Sequence, residues 1–175
     1  FLAWEWTAEE KQAIDELISK VKGVQGNHVP KFHYIMSQAY ENFSKAQSGT
    51  KPFTTQVEMY NLIVAQAKKA VSECAFDGVI ATGTMLQNLR TSSLNIDNGM
   101  GLTRDGYHMD YGISRYGAAC TVFESIITPK YNVKLDNNSY RFTKSDTSTS
   151  AYSTPVTDAN APIALKAARA AIAKP

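Results

Sequence analysis

Asp77-Gly78-Val79-Ile80-Ala81-Thr82-Gly83-Thr84 spells a strand that runs straight into a helix start. A short apolar run with branched residues, bounded by Asp-Gly before and Gly-Thr after, predicts a strand buried on both faces. Upstream, Lys31-Phe32-His33-Tyr34-Ile35-Met36 has the same character and follows the loop Gly26-Asn27-His28-Val29-Pro30. Between the two runs, Val57, Tyr60, Val64, Ala67, Val71 and Cys74 recur on one helical face, ending near Ala75. Thr55 with Glu58 supplies a capping box at its start. Strand, helix, strand and helix with connections of this length predict a parallel βαβ unit and an α/β fold.

Outside that unit the pattern is mostly helical. Thr7 and Glu10 form another capping box, followed by Ile14, Leu17, Ile18 and Val21 on one face until Gly23. Trp4 and Trp6 precede this helix and read as apolar cover for its entry. Asp110 is placed to cap a helix carrying Ile113, Tyr116, Cys120, Phe123 and Ile127, which Pro129 is expected to end. Residues 131–157 are dominated by Ser, Thr, Asn and Asp and predict a polar surface excursion, with Tyr140-Arg141-Phe142 as a short edge strand. An alanine-rich helix from about Asp158 to Ala173 closes the chain. Residues 1–175 are expected to form a single domain. Only two strands are evident, fewer than the roughly five of a typical sheet, so further strands are expected upstream of Phe1.

Composition excludes several classes of function. The 175 residues are 43% hydrophobic and 19% charged, as in ordinary folded domains. A net charge of +2 with scattered basic residues is no nucleic-acid footprint. No apolar run approaches the ~20 residues that span a bilayer. Cys74 and Cys120 both fall on apolar helix stripes, which favours buried free thiols over a disulfide. No Cys/His spacing suggests zinc, and Gly83-Thr84 lacks the lysine of a phosphate loop.

The chemistry gathers in Leu102-Thr103-Arg104-Asp105-Gly106-Tyr107-His108. In a tight turn, an aspartate three residues before a histidine reaches one ring nitrogen and leaves the other outward, which is two thirds of a hydrolytic triad. The nucleophile is not evident. Ser37, after the first strand, is the one serine suitably placed, but it lacks a Gly-x-Ser-x-Gly elbow and suits a helix-cap or loop role better.

The run from Asp77 to Thr84 continuing through Gln87-Asn88-Leu89-Arg90 resembles the C-terminal half of a bacterial SGNH (GDSL-like) hydrolase. So do the Leu102–His108 stretch and the following Gly112-x-x-Arg115-Tyr116-Gly117-Ala118-Ala119-Cys120. The similarity spans about Lys31 to Val133 and is strongest to an uncharacterised subgroup of secreted bacterial proteins. It implies a flavodoxin-like three-layer α/β/α fold with a parallel sheet, of which this chain holds only part. Asp105 and His108 match the family's last block as the catalytic pair. The serine and glycine blocks have no counterpart, and Asn42 lacks the family's Gly-x-Asn-Asp context. The implied activity is a serine esterase or acylhydrolase acting on small-molecule or acylated carbohydrate esters, without cofactor. Its nucleophile would come from a missing N-terminal segment of the same protein, or from a separate chain. Ser37, Gln38, Asn42, Asn88, Arg90 and Arg104 are the expected substrate or oxyanion surroundings, and a secreted, periplasmic or cell-surface location is implied.

Competing readings stand beside this one. Asp105 and His108 can simply staple a loop to a helix start. Asp105, His108 and Asp110 with His33 are mixed ligands of the kind that hold a divalent ion, although no metal is expected. Arg90 and Arg104 suit an acidic substrate group or ordinary surface salt bridges. A non-catalytic carbohydrate- or ligand-binding module on a degenerate hydrolase scaffold would draw on nine tyrosines and two tryptophans for stacking.

Overall fold

The structure is a computed structural model that describes residues 4–24, 26, 28–44, 51–96, 102–141 and 154–175. Its elements run α1 (Ala8–Val24), β1 (His33–Ile35), α2 (Gln56–Glu73), β2 (Gly78–Ile80), α3 (Thr82–Arg90) and α4 (Ile113–Val122). A π-helical turn (Phe123–Ile127), α5 (Thr128–Tyr131) and α6 (Ala161–Ala173) follow. β1 and β2 pair in parallel with His33 opposite Gly78, Tyr34 opposite Val79 and Ile35 opposite Ile80. The expected α/β class and βαβ unit are present, with a sheet of two strands among the described residues. Flanking bonds lengthen the pairing, Asp77 N donating to Phe32 O at 2.7 Å and Met36 N to Ile80 O at 3.0 Å.

Two apolar clusters flank the sheet. Tyr34, Met36 and Phe53 join the inner face of α2, namely Met59, Ile63, Ala67 and Ala70. On the other side Met85, Leu86, Leu89, Ile113, Cys120, Leu165 and Ala168 bind α3, α4 and α6 together. Val79 of β2 packs against both clusters, which puts the strand pair where they meet. Trp4 stands edge-on to Tyr40 and Phe53 at 6.2 and 5.1 Å, and Trp6 Nε1 donates to Glu73 at 2.8 Å. Both tryptophans thus cover the α2 side. α1 buries only Ile18, and Leu17, expected on its inner face, is exposed.

Both capping boxes form. Thr7 exchanges hydrogen bonds with Glu10, and Thr55 with Glu58 at the start of α2. Gly83 lets α3 start immediately beyond β2, because a Cβ there would fall 1.9 Å from the Ser37 carbonyl oxygen. Cys74 and Cys120 are free and buried. Burial, then a hydrogen bond with Asp15, pushes the Cys74 thiol up to about 11, and burial also raises that of Cys120.

Two sequence expectations need correction. Pro129 does not end the helix after Asp110. The backbone widens into the π turn, where Thr128 N reaches Phe123 O five residues back, and Pro129 then sits in the first turn of α5. The proline gives up one bond of a continuous helical run, next to the π turn where the ladder is already rewound. Asn132, with φ +52° in the left-handed region, closes α5. Nor is 131–157 wholly a surface excursion: Tyr131 belongs to α5, and Val156, 2% exposed, is part of the α3–α4–α6 core. Tyr140 and Arg141 are not in a strand, and Phe142 lies outside the described residues. Among the described residues no helix is long and apolar enough to cross a membrane.

Candidate functional site

The loop carrying Asp105 and His108 is closed by its own backbone. Thr103 and Met109 form an antiparallel bridge, Arg104 N donates to His108 O at 3.1 Å, and Asp110 N to Leu102 O at 3.0 Å. The turn needs Gly106, whose φ of +89° is left-handed and whose Cβ position would come within 2.9 Å of Ser44 Cβ. Asp105 organises the interior of the loop. Its Oδ1 accepts the amides of Tyr107 at 3.1 Å and His108 at 2.8 Å, and its Oδ2 meets His108 Nδ1 at 2.6 Å. A carboxylate at that distance requires the proton on Nδ1, which leaves Nε2 of the neutral ring as the acceptor. Burial favours the neutral Asp105 carboxyl, but bonds from the His108 ring and the two amides outweigh it and hold the group below its ordinary range. The His108 side chain is 48% exposed, and among the described residues Nε2 has no hydrogen-bond partner.

This loop docks on the segment that leaves β1. Gln38 Nε2 donates to Tyr107 O at 2.8 Å, and Glu41 N to Gly106 O at 2.6 Å. The Tyr107 ring lies 5.7 Å from Tyr40 and 4.1 Å from His108 between centroids. The Asp–His pair is therefore held just past the carboxyl end of β1, where ligands bind in open α/β sheets. Arg90 braces the same segment from α3: its Nε and Nη2 reach Glu41 Oε1 at 2.9 and 2.6 Å, and Nη2 also reaches Ala39 O at 2.8 Å.

On the far side of the loop, fully buried Asp110 collects three amides. Oδ1 takes Ser114 N at 2.7 Å, and Oδ2 takes Gly112 N at 2.8 Å and Thr154 N at 2.9 Å. Burial raises its carboxyl group despite those bonds. Asp110 thus caps α4 from two residues before the N-cap position. Gly112 occupies that position because a Cβ there would strike Thr154 O at 1.8 Å.

The other expected site residues divide. Gln38 belongs to the site as the brace on Tyr107. Arg104 does too, since its amide closes the loop and its guanidinium reaches Tyr111. Ser37 makes no hydrogen bond to His108 and serves the close approach of α3 through its carbonyl. Asn42 accepts Gln56 N at 2.7 Å and completes the start of α2. Asn88 donates to Ala167 O at 3.0 Å and ties α3 to α6 rather than facing the pair. Arg90 is not a surface salt bridge, as its side chain and that of Glu41 are 6% and 5% exposed. The metal set is not assembled. Asp110 is committed to amides and His33 stays on β1, and among the described residues no three His, Cys, Asp or Glu side chains converge.

Sequence reasoning missed Tyr107, Tyr111 and Arg115. Tyr111 and Arg115 stand four apart at a helix start, a spacing that signals contact, and their rings and charges do meet (4.4 Å from the Arg115 guanidinium carbon to the ring centroid). They line a cavity of about 370 Å³ with Tyr116, Phe123, Leu135 and Asn138.

Comparison with known proteins adds a family. The chain is similar to a DUF4886 family protein from Bacteroides uniformis ATCC 8492, known from a crystal structure at 1.50 Å resolution. The two share 28% identity and a TM-score of 0.72, over 95% of this chain and 57% of the other. This chain therefore spans a little over half the length of that relative. No curated protein matches. The profile of a domain of unknown function, DUF4886, matches residues 5–159, which include both strands and the whole Asp105–His108 loop. By that match, across nearly its entire length, the chain belongs to the DUF4886 family.

Proposed function

We propose that this chain carries the general-base half of an SGNH-type serine esterase or acylhydrolase. The observation behind the proposal is the Asp105–His108 pair, joined at 2.6 Å, its outer nitrogen free, at the carboxyl end of a parallel strand. In this reading His108 Nε2 removes the proton from a serine hydroxyl as the hydroxyl attacks the ester carbonyl. It then returns the proton to the leaving alcohol, while Asp105 steadies the imidazolium. Asp105 is suited to that task because its hydrogen bonds keep it ionised. The serine and the oxyanion donors belong to a segment of the protein outside these 175 residues, which also adds strands to the sheet in a flavodoxin-like arrangement. Small-molecule or carbohydrate esters are the substrate class, and a secreted, periplasmic or cell-surface location accompanies it. One observation favours the alternative of a non-catalytic ligand-binding module: among the described residues, no nucleophile meets Nε2.

The full-length protein tests the proposal with p-nitrophenyl acetate and a fluorophosphonate probe. Hydrolysis and labelling of a serine are expected, and both should fall by at least a hundredfold in His108→Ala. The half-exposed ring packs only against Tyr107 among the aromatic rings, so the variant should melt close to the parent. Undiminished turnover in His108→Ala, or no labelling of the parent, overturns the hydrolase reading, and the latter leaves the binding module.

A further inference from the structure

We infer that Arg104, Tyr111 and Arg115 form an anion-receiving corner beside the Asp–His pair, which selects esters carrying a carboxylate on an apolar body. This rests on the proposed hydrolase for the reaction, but the binding itself does not require turnover. Of the five arginines in the chain, Arg90, Arg141 and Arg169 each hold a carboxylate. The other two hold none among the described residues, and both converge on one ring. Arg104 and Arg115 place their guanidinium carbons 4.8 and 4.4 Å from the Tyr111 centroid. Arg104 Nη1 also donates to the Tyr111 hydroxyl at 2.6 Å. With its oxygen accepting from Arg104, that hydroxyl still has its own proton to give, and no acceptor for it is present among the described residues.

Arg104 Nε is buried without a partner. An unpaired buried donor is costly, and Arg115 in the first turn of α4 opposes the helix dipole. Tyr111 and Arg115 line the cavity, so an anion there offsets the charge that opposes the dipole, and Arg104 backs the corner through the Tyr111 hydroxyl. Planar guanidinium groups favour carboxylates through paired N–H donors. The adjoining cavity of about 370 Å³, lined by Tyr111, Arg115, Tyr116, Phe123 and Leu135, matches an aryl or short alkyl body. Arg104 directly precedes Asp105, and its amide is held by the His108 carbonyl. An anion bound there is thus referenced to the catalytic pair through one rigid loop.

Two measurements on the full-length protein test this. In calorimetric titration, benzoate should bind, uncharged benzamide at least tenfold more weakly, and added NaCl should weaken benzoate. Arg115→Ala should raise the benzoate Kd about tenfold, with Arg115→Lys in between. Arg115 is exposed, so the fold is not at stake, and Lys130→Ala is the control for unspecific charge. In turnover, 4-acetoxybenzoate should exceed its methyl ester at least tenfold in kcat/KM, a ratio that collapses toward one in Arg115→Ala. Equal binding of benzoate and benzamide, or an unchanged benzoate Kd in Arg115→Ala, overturns the anion corner even if both esters are hydrolysed. Charge-selective benzoate binding without turnover of either ester upholds the corner and removes the hydrolase.

Discussion

Removing Arg90 should destabilise the protein far more than losing a surface ion pair would. Arg90 gives Glu41 two hydrogen bonds to Oε1, one more to Ala39 O, and one at 3.1 Å to Gln87 Oε1. Both partners of the pair are some 95% buried. Arg90→Ala therefore strips a buried carboxylate of its guanidinium, a change worth about 3–5 kcal/mol where exposed pairs are worth about 1 or less. Against a total stability of about 5–15 kcal/mol, that is a large fraction. The loss also has a pH signature. Burial raises the Glu41 carboxyl above 4.5 and the Arg90 charge and hydrogen bonds only partly counter it. A carboxyl raised in the folded state favours folding below its unfolded pKa, and that contribution disappears as pH rises through the folded value. Without Arg90 the folded value climbs further. The penalty of Arg90→Ala is then full at pH 8, where the group must ionise while buried, and shrinks toward pH 5 as it protonates. Urea unfolding at both pH values measures this, and Glu41→Leu with Arg90→Met should recover much of the loss. A cost under about 1 kcal/mol at pH 8, or one that does not change between pH 8 and 5, refutes the reasoning.

Two further changes probe the turn at each end of the site. Gly83→Ala puts a methyl group 1.9 Å from the Ser37 carbonyl oxygen and 2.9 Å from its carbon, both backbone atoms with no rotamer to escape into. A cost of about 3 kcal/mol is expected, seen as a fall in Tm of roughly 6–12 °C, and an unchanged melt contradicts the close approach of α3 to β1. Asp105→Asn keeps an acceptor for the two amides but turns an NH2 toward His108 Nδ1, which forces the ring proton onto Nε2. If the pair is catalytic, kcat on p-nitrophenyl acetate should fall on the order of 10⁴-fold with little change in Tm, and a loss under tenfold removes Asp105 from that role. Because the folded Asp105 carboxyl is lowered, its stabilisation is present above 3.8 and fades as pH falls through the folded value, so parent and variant should converge in stability in acid.

The parts of this molecule legible in the sequence are those whose causes lie within a few residues. The Thr55–Glu58 box and the glycine in the first turn of α3 act over one or two helical turns, and both are present as expected, whereas the expected α2 stripe is displaced: Met59, Ile63 and Ala70 are buried beside Ala67, and Val57 is exposed. Pro129 misled for the same reason: local rules say stop, and what overrides them is a π turn that the core packing of α4 against α6 permits. Arg90 misled because its partner Glu41 lies 49 positions away, so nothing near it in sequence announces burial. The Asp105–His108 pair was readable because Asp-x-x-His needs only Gly106 and a closed loop to meet. Its brace, Gln38, stands 69 residues from Tyr107 and carried no comparable signal. The same distinction bears on the nucleophile that the proposed reaction requires. An acid–base pair made within four consecutive residues forms whenever its turn forms, whereas a hydroxyl on Nε2 must be delivered by a second segment held to within hydrogen-bond reach. The outer face of His108 is open, its ring is oriented, and its loop is anchored at Gln38, Glu41 and Arg104. Under the proposed hydrolase reading, a ring fixed so firmly, with no partner for Nε2 among the described residues, takes its nucleophile from another segment of the protein.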